Sequence, residues 1–375
     1  MKNIPLSSPD ITKKEVELIN QVLSTPFLSI GPKIKEFEKK IANFVGTKYA
    51  IAINSGTSGL HLCVRSLDIK DGDEVITTPF SFIASSNCIL FERAKPVFVD
   101  IDENTLCIDP NKIEEKITKK TKAILPVHIF GHSCEMEKIM EIAKRYNLAV
   151  LEDACEALGG EYKGRKVGTF GNAAVFAFYP NKQITTGEGG VIVTDDERIA
   201  KLCQSMRNQG RDEGDSWLSH SRLGYNYRMT EISAALGITQ LSRIEEILEK
   251  RQKVAENYNK KLEKIDGVKI PYVSPEVKIS WFVYVIRLDG RFSLEDKNAI
   301  LQKLTQKGIN CGNYFPSIHL EPFYVKMFGY KNGDFPITER VSNSTIALPF
   351  YNNLTEKQID YVCDNLNSAI RELKK

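Results

Sequence analysis

Seven short apolar runs, at 49–53, 74–77, 96–100, 123–127, 149–152, 173–178 and 190–194, decide what this chain can fold into. Each is about the length of a strand, and most are parted by stretches long enough for a helix. Two further helical stretches, 14–25 and 34–44, precede them. Strands alternating with helices predict a mainly parallel sheet covered by helices, an α/β domain. From 230 to 265 the pattern turns helical and heavily charged, with Leu236, Gln240, Ile244, Ile247 and Leu248 at helical spacing. This predicts a long connection into a smaller C-terminal unit, with a strand over 280–288 and helices over 295–307 and 356–372. The expected division is 1–245 and 246–375.

The strand ends carry the chemistry. The run Ala174-Val175-Phe176-Ala177-Phe178 meets a Pro-Asn break, then Lys182, then a Thr- and Gly-rich turn before Val191-Ile192-Val193. A lysine at the end of a buried strand is where an amine can shed water and attack a carbonyl; an exposed lysine in a hairpin is the plainer alternative. Upstream, Leu148-Ala149-Val150-Leu151 runs into Glu152 and Asp153, acids at the carboxyl end of an apolar strand. Ligands of open α/β sheets collect at that end. A third strand end opens into Asn54-Ser55-Gly56-Thr57-Ser58-Gly59, small residues whose backbone N–H groups can start a helix and cradle a phosphate. An anion cradle, a buried acid and an amine on one sheet fit pyridoxal 5'-phosphate (PLP). Lys182 forms the Schiff base, Asp153 holds the ring nitrogen protonated, and Gly56 and Thr57 bind the phosphate.

The order of these segments resembles the sugar-nucleotide aminotransferases of the DegT/DnrJ/EryC1/StrS family, within the fold-type I PLP enzymes. The likeness covers nearly the whole chain. It includes P-F-L-S-I-G-P-K-I-K-E-F-E at 26–38, G-D-E-V-I-T-T-P-F-S-F-I-A-S at 72–85, K-P-V-F-V-D-I-D at 95–102 and P-V-H-I-F-G at 126–131. It continues through E-D-A-C-E-A-L-G at 152–159, the lysine segment at 176–190, L-G-Y-N-Y-R-M at 223–229 and P-S-I-H-L-E-P-F-Y at 316–324. The fold implied is that of aspartate aminotransferase: a large domain with a mostly parallel mixed sheet, plus a smaller C-terminal α+β domain.

The resemblance implies further roles. Lys182 would also be the base that moves the proton between the two carbons, and the related sugar-nucleotide 3-dehydratases carry histidine at that point, so lysine implies transamination. Phe82 matches the aromatic residue stacked on the cofactor ring, with an ordinary core phenylalanine as the alternative. Asn226 matches a position that reaches the phosphate from a neighbouring subunit, which implies a homodimer with shared sites. Ser29, Arg228, Tyr314 and His319 match positions near the nucleotide-sugar cleft, with a structural role as the alternative for Tyr314 and His319. Two positions depart from many relatives. Ala177 stands where a serine hydroxyl often contacts the phosphate. Glu156 stands where histidine or glutamine is common near the phenolic oxygen. Glutamate there resembles the perosamine-synthase type, which aminates C4 of a 4-keto-6-deoxy sugar on a nucleotide, and a carboxylate beside a phenolate predicts a raised pKa or a shared proton. The implied donor is L-glutamate, in a ping-pong reaction serving surface polysaccharide or glycan biosynthesis. The alternatives are amination at C3 or of a keto-cyclitol, and, in another class, a non-catalytic PLP-binding regulator.

Composition narrows the partners. With 42% hydrophobic and 26% charged residues and a formal net charge of +3, nothing points to nucleic acid or an acidic membrane. The start, Met1-Lys2-Asn3-Ile4-Pro5, lacks the apolar core of a signal peptide, and no apolar stretch is of spanning length. The eight cysteines form no C-x-x-C pair, so neither a disulfide framework nor a metal site is expected. The expected setting is the cytoplasm.

Overall fold

A computed structural model describes residues 3–373 apart from 213, 215, 217 and 218. The seven apolar runs form one sheet: β1 (Tyr49–Ile53), β2 (Glu74–Thr77), β3 (Lys95–Phe98), β4 (Thr121–Ile124), β5 (Ala149–Asp153), β6 (Ala173–Ala177) and β7 (Gly190–Thr194). Their order across the sheet is β1-β7-β6-β5-β4-β2-β3. Only β7 runs against its neighbours, with Ile51 opposite Ile192 and Phe176 opposite Val191. All other pairings are parallel. The carboxyl ends of β1, β2, β5 and β6 therefore lie along one edge.

β3 and β4 stop short of the expected runs. Strand-like bonding continues for one residue beyond each, from Val99 N to Thr77 O and from Leu125 N to Ile76 O. Pro126 then has no N–H to give.

Helices pack on both faces: α1 (Lys13–Leu23), α2 (Pro32–Val45), α3 (Gly56–Ser66), α4 (Ala84–Phe91), α5 (Met136–Tyr146), α6 (Glu197–Arg207) and α7 (Glu231–Ser242). α1 starts at a capping box in which Thr12 and Glu15 satisfy each other's backbone N–H. The helical stretch expected over 230–265 is two helices, α7 and α8 (Ile244–Leu262), parted at Arg243. Its guanidinium is drawn to the buried carboxylates of Asp10 and Glu15, each at 3.1 Å. Three ion pairs and a hydrogen bond to the Asp10 carbonyl, all to one side chain, fix the corner.

α8 leads into a second antiparallel sheet of β8 (Val268–Lys269), β9 (Tyr284–Leu288) and β10 (Thr345–Leu348). α8, α9 (Leu294–Gln306), α10 (Pro322–Phe328), α11 (Pro336–Ser342) and α12 (Glu356–Leu373) complete this unit. Its core joins Tyr258, Tyr284, Leu304 and Phe350 with Ile4, which also bridges to Ile309. The start of the chain is thus built into the C-terminal unit. The main-sheet core extends in turn to Phe282, Val285 and Phe315, so the two units share apolar packing where the site lies.

Candidate active site

Each strand end at the common edge delivers one component. After β1, Ser55 caps α3 by accepting from the Ser58 amide at 3.1 Å. That leaves the Gly56 and Thr57 amides at the opening turn, where no intrahelical partner exists. Gly56 has room for nothing larger: a Cβ there would come within 2.8 Å of the Ala177 methyl and 3.0 Å of Cys155 Sγ. The backbone of β6 therefore lies close under the helix start.

After β2, the chain alternates. Phe80 is fully buried, whereas Phe82 is 60% exposed. β5 ends at Asp153, which is buried and accepts one hydrogen bond on each oxygen, from Ser85 Oγ at 2.7 Å and from the Cys155 amide at 3.1 Å. A carboxylate has about four acceptor positions, so Asp153 keeps capacity for a ligand.

After β6, the chain loops out before returning as β7, and Lys182 sits in this loop with its side chain 12% exposed. Its Nζ lies 3.6 Å from Glu156 Oε1 and 3.8 Å from the centre of the Phe282 ring. Glu156 is buried and accepts from the Phe130 amide at 2.8 Å. Burial pushes its carboxyl above the ordinary glutamate value, and the Lys182 ammonium only partly offsets this.

Gly56, Thr57, Phe82, Asp153, Glu156 and Lys182 line one cavity of about 530 Å³, together with Tyr314, whose ring stacks on Phe282 at 6.5 Å. Glu156 points into this cavity. The residues fit PLP. The amide-rich helix start would hold the phosphate, the acid with spare acceptor capacity would take the ring nitrogen, the exposed aromatic ring would cover the ring face, and the primary amine would take the aldehyde. Ala177 also lines the wall and brings only a methyl, so a hydroxyl for the phosphate would have to come from the helix start, where Ser55 and Thr57 line the cavity. When bound, PLP supplies an electron sink that lets an amino group pass from one carbon to another. Among the described residues no group of three metal-ligating side chains exists.

The other expected residues lie elsewhere. His319 is not at the cavity. It is fully buried in a small core with Phe98, Tyr324 and Phe335, its Nε2 3.0 Å from Glu339 and its ring edge-on to Phe335 at 4.7 Å. Burial behind these rings denies it contact with a ligand in the cavity, and its expected place at the cleft gives way to the structural alternative. Ser29 forms a backbone bridge to Thr230. Arg228 lines a separate groove of about 990 Å³ with Arg207 and Arg222, and donates to Asn208 Oδ1 at 3.1 Å. Asn226 is exposed and does not line the lysine cavity of its own chain. It lies between Tyr225 and Tyr227, whose rings stack on each other at 4.8 Å and both pack on His61. In extended backbone, alternation turns the asparagine away from both rings.

Sequence reasoning passed over Ser85 and Phe282. Ser85 had a signal: it lies in the quoted 72–85 segment, a small polar residue entering an apolar helix. Phe282 had none, since an aromatic residue leading into a strand reads as core.

Comparison with known proteins agrees with this geometry. Residues 9–367 match the model of the DegT/DnrJ/EryC1/StrS aminotransferase family. The chain is 38% identical to the GDP-perosamine synthase of Escherichia coli O157:H7, covering 98% of each chain. It is 37% identical to the spore coat polysaccharide biosynthesis protein SpsC of Bacillus subtilis, over 99% of this chain and 97% of that one. Spr1654 of Streptococcus pneumoniae, solved in a PLP form, superposes with a TM-score of 0.94 at 29% identity, over 99% of both chains. Its PMP form gives 0.93. A cavity built of these residues and likeness along the entire chain lead to one conclusion: the protein belongs to the DegT/DnrJ/EryC1/StrS aminotransferase family and is a PLP-dependent sugar aminotransferase.

Proposed function

We propose that the enzyme moves an amino group from L-glutamate to C4 of a nucleotide-linked 4-keto-6-deoxyhexose, giving a 4-amino sugar for surface polysaccharide, in the cytoplasm. The observation that carries this reading is the meeting of Lys182, Asp153 and the α3 start in one cavity, with the Glu156 carboxylate 3.6 Å from the lysine amine. The likeness to a GDP-perosamine synthase supports the C4 assignment. Lys182 holds the cofactor between turnovers and then, as a free amine, carries the proton from one carbon to the other. Asp153 keeps the ring nitrogen protonated, Phe82 covers the ring, and Thr57 and the Gly56 amide hold the phosphate. Glu156 keeps a proton at the phenolic oxygen, and Tyr314 borders the sugar.

Asn226 serves the site of a second copy. Its exposure outside its own cavity supports this, as do the apolar side chains left open nearby on both segments of the Ser29–Thr230 bridge. Phe27, Leu28 and Ile30 are 54%, 48% and 57% exposed, and Leu223 is 66% exposed. Arg228 and Ser29, on the same side, would face the partner's nucleotide.

L-Glutamate added to the PLP-loaded protein should bleach the visible band of the lysine-bound cofactor and release 2-oxoglutarate. A nucleotide-linked 4-keto-6-deoxy sugar should then restore the band and gain an amino group by mass. A spectrum indifferent to glutamate overturns the donor assignment. Mixed dimers of Asn226→Ala and Lys182→Ala chains should regain activity. Verified heterodimers that stay inactive overturn the shared site.

A further inference from the structure

Arg251, on α8, is 3% exposed, and its hydrogen-bond partners among the described residues are three main-chain carbonyls. One terminal nitrogen donates to Phe282 O at 3.1 Å and Trp281 O at 3.4 Å; the other donates to Lys182 O at 2.9 Å. Its Nε is buried without a partner. Burial draws its pKa down to about 10, so it stays charged at neutral pH. A buried cation bonded only to carbonyls is expensive to keep. A hydrophobic side chain would fill the same core more cheaply.

The carbonyls it joins explain its presence. Lys182 stands on the loop after β6, and Phe282 lies just before β9 of the second unit. The Phe282 ring face is the surface beneath the Lys182 amine, at 3.8 Å. One planar fork therefore holds the main chain on both sides of that contact. A second tie runs alongside: Gln183 Nε2 donates to Glu156 O at 2.7 Å and to Ser280 O at 2.9 Å. The amine is thus held between the Glu156 carboxylate and an aromatic face, each pinned through the backbone.

We propose that Arg251 is a positioning residue for Lys182, fixing the Phe282 ring under the lysine amine so that the amine is aimed when it is not bonded to the cofactor. This rests on the reading of Lys182 as the amine that carries PLP. A plain core cation joining the two units is the competing account.

The test separates capture of the aldehyde from filling of the cradle. Apo-protein is mixed rapidly with PLP and growth of the visible band is timed. Affinity for pyridoxine 5'-phosphate, which keeps ring and phosphate but has an alcohol for the aldehyde, is measured in parallel. Arg251→Lys keeps the charge and loses the fork. It should slow capture about tenfold or more while pyridoxine 5'-phosphate binding stays within about twofold. Phe282→Leu should slow capture in the same direction, and the double variant should be no slower than the slower single one, because both act on one contact. Capture at the wild-type rate, parallel loss of pyridoxine 5'-phosphate affinity, or additive effects would overturn the proposal. Should Arg251→Lys fail to fold, Phe282→Leu decides alone, and wild-type capture there overturns it. Wild-type protein that carries no pyridoxyl mass on Lys182 after borohydride sinks the underlying reading, and this proposal with it.

Discussion

Glu152 and Asp153 are neighbours at the end of β5, yet they face two different regions of the molecule. Glu152 points to the closed side. It accepts from the amides of Gly168, Phe170 and Gly171 at 2.7–2.9 Å, and from His128 Nε2 at 3.1 Å. The Cys134 amide donates to His128 Nδ1, which leaves Nε2 as the protonated nitrogen. Asp153 points to the cavity with one bond on each oxygen. Both acids are buried, so burial alone marks neither as functional. What separates them is satisfaction: one carboxylate has its acceptor positions filled by protein, and the other holds capacity open toward a space the size of a ligand.

The strongest way to break that comparison is to neutralise the open acid. Asp153→Asn keeps an oxygen for the Cys155 amide, and its NH2 can donate to the Ser85 hydroxyl, which can turn its own proton to Ser81 Oγ at 2.7 Å, so stability should change by no more than about 1 kcal/mol. Asparagine carries no charge to hold the ring nitrogen protonated, and kcat should fall on the order of 10²–10³-fold. Steady-state kinetics beside a thermal melt checks this. A variant with near wild-type kcat would remove Asp153 from the chemistry.

Glu152→Gln should reverse the pattern. Its amide cannot accept where the carboxylate did, which strands at least one buried N–H at a cost of about 1–3 kcal/mol. Activity per folded molecule should hold. Acid gives the sign. Burial would raise the Glu152 pKa, but hydrogen bonds from His128 and the amides of Gly171 and Gly168 outweigh it and hold the value below the ordinary 4.5. Glu152 then contributes stability that is fully present above pH 4.5 and lost as pH falls through its folded value. The melting gap between wild type and Glu152→Gln should therefore narrow in acid. A gap independent of pH would show that the carboxylate's charge contributes nothing.

The same contrast explains what could be read from the residues alone. β1, β2 and β7 fall at the expected positions, Asp153 closes β5, and Lys182 follows β6 in the loop before β7, because each rests on a local pattern: an apolar run and the residues that break it. The family resemblance placed Glu156 and Phe82, and the cavity contains both. His319 was misplaced because its surroundings come from Phe98 and from Phe335 and Glu339 on a later turn of chain, which no spacing around His319 encodes. The corner at Arg243 is likewise set by Asp10 and Glu15, more than two hundred residues earlier in the chain. Phe282 and Arg251 escaped notice for the same reason. Their significance lies in which backbone they touch, and long-range contact leaves no periodic trace.

Glu156 extends the comparison to a third acid, with the smallest expected effect and the opposite slope. Below about pH 4.5 this carboxyl is protonated in the folded and unfolded chain alike and contributes no pH dependence. As pH rises, the unfolded chain ionises first while burial keeps the proton on the folded one, against the pull of Lys182. The folded state then binds more protons than the unfolded state, so stability falls with rising pH through this window. Glu156→Gln removes the titration and keeps an oxygen for the Phe130 amide. In cofactor-free protein, the melting temperature of the variant relative to wild type should climb as pH rises above about 4.5. The Glu152→Gln difference should move the other way, and only below about pH 4.5, where the contribution of that carboxylate is lost. If both differences moved in parallel, the buried acids at the end of β5 would not be sorted by how fully the protein satisfies them, and the distinction between a structural and a reactive carboxylate would need another basis.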